Sequence, residues 1–160
     1  MKYIKITIII LMLVALCELL FGIWSITVET SDNACLSEIL IDTPYWFIIQ
    51  GYLSFLVSSF MYMYLGTKIH SKCNLFVSTM LWMLIFTHLT WTIFGCDVFW
   101  RCTGVNDGKN VHYELDRNVL WFDILLGFLL IIVHLKLMFD IHHVKARLNY
   151  YSNDYILTFV

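Results

Sequence analysis

The chain has 160 residues, 60% hydrophobic and only 14% charged, with a mean hydropathy of +0.76 and a formal net charge of −2. A water-soluble domain of this size needs a polar exterior that these residues do not supply. One proline and seven glycines exclude a linker-rich or disordered chain, and the few Lys and Arg form no basic patch for nucleic acid.

The first predicted element is the apolar run over residues 4–24. Lys2 and Lys5 stand at its start, as basic residues do ahead of the apolar core of a signal peptide, but its length and the lack of a small-x-small cleavage site read it as a transmembrane helix. Within it, "LVALCELLFGIW" (residues 13–24) has one interruption, Glu18. A carboxylate at mid-bilayer costs roughly 3 kcal/mol on insertion scales, so its placement needs a reason. Residues 25–43 follow with Glu29, Asp32, Glu38 and Asp42 and no Lys or Arg. The second span, 45–66, carries Gln50 and leads through a short connection with Lys68 and Lys72 to the third, 74–95, which carries His88. A mixed-charge segment, 96–118, precedes the fourth span, 119–139, which carries Asp123. Each span is close to the roughly 20 residues that a bilayer core requires. Residues 1–140 are therefore read as the bundle and 141–160 as a tail.

Helix is the expected state of all four spans, because lipid leaves every backbone polar group to be satisfied within its own segment. A barrel would show short segments of alternating polarity, and "IKITIIILMLVALC" does not alternate. The fold class expected is an all-α membrane protein, an up-down bundle of four transmembrane helices. Seven Lys and Arg (Lys2, Lys5, Lys68, Lys72, Lys136, Lys145, Arg147) fall on one side of the spans and three on the other. The positive-inside rule then puts both termini in the cytosol, in the plasma membrane or the secretory pathway. Cys35, Cys96 and Cys102 lie on the outer side, where oxidation is available. They permit one bridge: Cys35 to Cys96 or Cys102, which would clamp the two hairpins, or a local Cys96–Cys102 link. Three free thiols are the remaining alternative.

In such a bundle Glu18, Gln50, His88 and Asp123 come to nearly one depth. Glu18 lies about 9 Å below the outer end of its span, at 1.5 Å per residue. At 100° per residue, Ala15, Glu18, Gly22 and Ser25 share a stripe; so do Gln50 and Ser54, and Asp123, Gly127 and His134. Small residues mark close helix approach and polar ones bond across it, so Glu18 is expected to face inward, bonded to His88 or Gln50 or sharing a proton with Asp123. Three readings compete: a structural clasp that fixes helix register, a proton or ion path, and a metal site. No His-x-x-His or Cys-x-x-Cys spacing supports the last, and no metal or cofactor is expected. Trp24, Tyr45, Trp46, Trp91, Trp100 and Trp121 near the span ends read as an interfacial belt. Lys136 and Asp140 form an i,i+4 pair, and His142 and His143 read as solvated.

The chain ends Thr158-Phe159-Val160, the pattern of a class I PDZ ligand, in which the tail adds a strand to a sheet edge and Val160 fills a pocket. Gly22 closing the first span, "CLSEILIDTPYW" from Cys35 leading to Gly51, "WTIFG" from Trp91 followed by Phe99, and "LWFD" at the start of the fourth span carry a resemblance. With these the chain resembles the transmembrane protein 272-like family of small four-pass membrane proteins, over most of residues 15–135. The resemblance implies a four-helix membrane fold and no established chemistry. In that family a Pro follows the first-loop Cys and a Cys precedes the fourth helix. Leu36 and "VHYEL" stand there in this chain, and the family's disulfide is not carried over.

With no phosphate loop and no Ser-His-Asp constellation, the expected function is non-enzymatic: an accessory or scaffold-linked subunit of a larger membrane assembly. Its partners would be lipid, another membrane protein or a second copy, and a PDZ-domain protein. The alternative is a small homo-oligomeric ion or proton channel lined by the polar residues. An intramembrane enzyme using His88 with the carboxylates is a distant third.

Overall fold

In water a segment such as "YIKITIIILM" leans toward strand, because Ile and Thr are β-branched. In this computed structural model it is helical, as lipid demands of a segment that must pair its own backbone. The structure describes residues 2–28, 43–67, 72–104 and 111–157, with side chains for 2–26, 45–67, 72–96 and 118–148. The described residues form four helices: α1 (Lys2–Val28), α2 (Thr43–Gly66), α3 (Lys72–Gly104) and α4 (Val111–Leu157). Each is long and apolar enough to cross a membrane. Among the residues outside this description are Cys35, Thr158 and Val160, and the side chains of Trp100 and Cys102.

The polarity is that of a membrane protein. Phe76, Phe86, Phe122, Leu129 and Ile132 are exposed, whereas Gln50, Ser54, Ser58, His88, Thr92 and His134 are buried. Exposed Thr79, Thr87 and Thr90 donate their hydroxyls to the carbonyls of Leu75, Met83 and Phe86, four residues back. A threonine satisfied on its own helix can face hydrocarbon without an orphaned hydroxyl.

Printed contacts fix the register. Gly51 of α2 lies against Ala15 and Leu19 of α1, and Phe47 meets Phe21 edge to face at 5.1 Å, so these helices run antiparallel. Ser54 with His88, and Trp46 with Trp91, give the same sense to α2 and α3. Gly95 beside Ile124 and His88 beside His134 give it to α3 and α4. Helix α2 packs against each of the other three, while α1 packs mainly along α2 and touches α4 only lightly.

Two apolar layers result. A large one holds Ile8, Leu11, Val57, Met61, Leu81, Ile85, Leu130 and Ile141. A small aromatic one at the opposite end holds Trp46, Leu120 and Ile124, flanked by Trp91, Phe94 and Phe128. Beyond the large layer, Lys145 of α4 is 6% exposed. Its Nζ donates to Thr67 Oγ1 at 3.0 Å and Asn74 Oδ1 at 2.6 Å, and lies 3.8 Å from the centre of the Tyr64 ring. This ammonium ties α4 to the α2–α3 turn and leaves no proton without an acceptor.

The helices outrun the expected spans by far the most at three ends. Helix α3 continues to Gly104, α4 begins at Val111, and α4 runs to Leu157 through the segment expected as a tail. Hydropathy marks only the part of a helix that lies in hydrocarbon. Past residue 139 the helical phase persists: Ile141 and Lys145 point inward at i,i+4 spacing, while Asp140, His142 and His143 stay outside.

Candidate functional site

Between the two apolar layers runs a column of polar side chains borne by α2. Trp46, Gln50, Ser54 and Ser58 recur every four residues, so they form one slightly inclined stripe. Every one is buried, at 2% exposure or less. From one end, the Trp46 indole Nε1–H donates to Asp123 Oδ2 of α4 at 3.0 Å. Gln50 directs its amide toward Gly127 of α4 and Thr92 of α3. Ser54 Oγ pairs with His88 Nε2 of α3 at 3.4 Å, and Ser58 Oγ with His134 Nε2 of α4 at 2.9 Å. The two imidazoles meet with ring centroids 6.3 Å apart. Thr92 donates to the His88 carbonyl, so its hydroxyl is also occupied.

Glycines allow this closeness. A Cβ on Gly127 would collide with Gln50 Nε2, and one on Gly95 would collide with the Trp46 ring. At Gly51 the obstacle is backbone: a Cβ there would lie 2.6 Å from Leu19 N and 2.8 Å from Ala15 O. Ala15 and Gly22 on the α1 stripe are likewise buried. The α1–α2 seam is a small-residue contact of the kind that membrane helices use in place of hydrophobic burial.

The four residues singled out from the sequence are all buried: Glu18 at 7% exposure, Gln50 at 0%, His88 at 0% and Asp123 at 3%. Their partners differ from those expected. His88 bonds Ser54 and Asp123 bonds Trp46, while neither oxygen of Glu18 and neither polar atom of the Gln50 amide has a hydrogen-bond partner among the described residues. Trp46 was assigned to an interfacial belt; it is instead an interior donor stacked on Trp91 at 4.6 Å with 14° between the rings. Trp24, Tyr45 and Trp121 are exposed. Trp46, Ser58 and Thr92 carry a signal that composition hides, a four-residue spacing from Gln50, Ser54 and His88 respectively.

Among the described residues no three His, Cys, Asp or Glu side chains come together as metal ligands, so Glu18, His88 and Asp123 do not form such a trio. Cys96, placed in the candidate disulfide set, is a half-buried free thiol; Cys17 and Cys73 are exposed free thiols.

A buried carboxyl with no partner contributes nothing that an apolar group of its shape would not. Glu18→Met is therefore expected to leave the unfolding midpoint in detergent unchanged or raised, when measured in the salt of a large organic cation. A clear drop would show that Glu18 bonds the bundle after all. Comparison of the chain with family models, curated proteins and solved structures gave no match in any of the three.

Proposed function

We propose that the chain is a non-enzymatic four-pass membrane protein, an accessory or scaffold-linked subunit of a larger assembly, with both termini in the cytosol. The observation that carries this reading is the wiring of the polar column. Its indole, hydroxyl, imidazole and carboxyl groups pair between helices, Trp46 with Asp123, Ser54 with His88 and Ser58 with His134. Such pairs fix rotation and register, which apolar packing alone leaves loose in lipid. A rigid bundle with α1 held chiefly on one neighbour presents a broad apolar flank: Ile9, Ile10, Leu13, Leu16, Leu20 and Ile23 are exposed on it. That flank suits a partner helix or a second copy, and Thr158 with Val160 supplies the scaffold contact through a PDZ domain.

The seven-to-three distribution of basic residues supports the cytosolic termini, and the chain is read as a protein of the plasma membrane or secretory pathway. With Cys96 a free thiol, Cys35 and Cys102 remain the pair for an outer bridge. The similarity to the transmembrane protein 272-like family agrees with this four-pass reading. Purification in mild detergent followed by mass analysis tests the assembly: a partner or a defined oligomer is expected, and a clean monomer counts against it. Orientation has its own test. An impermeant maleimide applied to intact cells after reduction is expected to reach Cys35 or Cys102 and to spare exposed Cys73; labelling of Cys73 inverts the orientation.

A homo-oligomeric channel is the second reading, favoured by the unpartnered Glu18 on the flanking helix. Its pore would lie between copies, since a single four-helix bundle fills its centre with side chains, and Glu18, buried on the inward face of α1, would have to turn outward to line it. Conductance of reconstituted protein that is unaltered by Glu18→Ala and Asp123→Ala would remove these residues from any pore.

A further inference from the structure

The Gly51 contact brings Glu18 and Gln50 to one place. Gly51 touches α1 on either side of Glu18, at the Ala15 carbonyl and the Leu19 backbone. Gln50 is the residue before Gly51, and its amide reaches across to Gly127, one helical turn from Asp123. At this level of the bundle, then, three helices contribute a carboxyl, an amide and a second carboxyl.

The Glu18 and Gln50 oxygens are the buried acceptors without a partner among the described side chains; the other such atoms are nitrogens, on Gln50, His88, Trp91 and His134. Both Glu18 oxygens and the Gln50 carbonyl oxygen are shielded from solvent and have no hydrogen-bond partner among the described residues. Gln50 is fully buried and Glu18 is 7% exposed. Burying polar groups this way costs about 1–3 kcal/mol for each unmet group, a cost that an occupant using these oxygens removes. Asp123 commits one oxygen to Trp46. Among the described side chains no Lys or Arg is bonded here: Lys145 follows Asp123 by six turns along α4 and is bound at the far end. The other buried titratable groups of the column are His88 on α3 and His134 on α4, each bonded through Nε2 to a serine of α2 and with Nδ1 unpartnered.

We infer that Glu18, Gln50 and Asp123 form an intramembrane site for a small monovalent cation, neutralised by the Glu18 carboxylate, with the Gln50 carbonyl and Asp123 as further oxygen donors. The donor set is all oxygen, which suits a hard cation of the sodium type rather than a transition metal. A divalent ion is disfavoured, because calcium takes six to eight oxygens and these three side chains offer at most five. The site binds an ion within one bundle and needs no pore, so it is independent of the assembly reading above.

The test uses the full chain in detergent and dicyclohexylcarbodiimide, which adds to a protonated carboxyl in apolar surroundings. Modification of Glu18 is followed by mass spectrometry at fixed pH and ionic strength in sodium, potassium or N-methyl-D-glucamine chloride. A bound cation protects by the factor 1 + [L]/Kd, about tenfold at ten times Kd. The expected result is that sodium or potassium slows the reaction relative to N-methyl-D-glucamine. In Gln50→Leu the reaction should proceed without that protection. Equal rates in all three salts, or protection that survives in Gln50→Leu, overturn the site and leave a proton as the only occupant. Should Glu18 resist the reagent in every salt, the same salts are compared by thermal unfolding. Sodium or potassium must then raise the Tm of the parent and not of Glu18→Gln, and a Tm indifferent to the cation overturns the proposal equally.

Discussion

Gly51→Ala is expected to lower the stability of the bundle in detergent by about 1–3 kcal/mol, and Gly51→Leu to detach α1 from α2. The reason is the nature of the obstacle. An added Cβ would meet Leu19 N at 2.6 Å and Ala15 O at 2.8 Å, which are backbone atoms that no rotamer change can move aside. The helices must separate, and separation costs the contacts along the whole seam, including the edge-to-face pair Phe21–Phe47. Unfolding followed by tryptophan fluorescence reports the stability. A disulfide between cysteines introduced at positions 21 and 47 reports docking, and should form readily in the parent and poorly in Gly51→Leu. Gly66→Ala is the control: nothing lies within 4 Å of its Cβ, so it is expected to be neutral or slightly stabilising. If Gly51→Leu matches the parent in both assays, α1 does not lie in this seam.

Trp46→Ala should be the most damaging single change in the aromatic layer, at about 3–5 kcal/mol. It empties a fully enclosed site, removes the stack on Trp91 and deprives Asp123 Oδ2 of its donor. Trp46→Phe keeps most of the ring volume and isolates the last effect, for which about 1–3 kcal/mol is expected. Pairing Trp46→Phe with Asp123→Leu should recover much of that loss, since removing both partners leaves no orphaned polar group. Unfolding midpoints of the two single variants and the double variant measure the coupling. Additive losses would mean that the indole and the carboxyl do not act on one another.

Much of this architecture was legible from residue types. Four apolar runs separated by charged connections dictate four helices, since lipid removes the alternatives that water allows. The inward stripe of Ala15, Glu18 and Gly22 followed from helical phase, as did the inward placement of Gln50, Ser54, Asp123 and His134. Pairing did not follow. Depth places Glu18, Gln50, His88 and Asp123 together, but partners depend on which faces meet. The central position of α2 gave His88 to Ser54 and His134 to Ser58. Trp46 was misplaced because a tryptophan near a span end has two roles, and only the position of Asp123 across the bundle selects the interior one. Helix ends were also unreadable, because hydropathy falls at the membrane boundary whether or not the backbone stays helical.

The length of α4 has a mechanical consequence. Beyond Lys145, which is pinned to Thr67 and Asn74, unbroken helix continues to Leu157. Twelve residues of helix amount to about 18 Å of stiff shaft. A force applied at its tip is not dissipated in a slack tether; it arrives at the α2–α3 turn as torque, with Lys145 as the fulcrum. Residue count in the shaft then sets direction as well as reach. Deleting one residue between 149 and 157 would swing the tip by about 100° while shortening it by only about 1.5 Å.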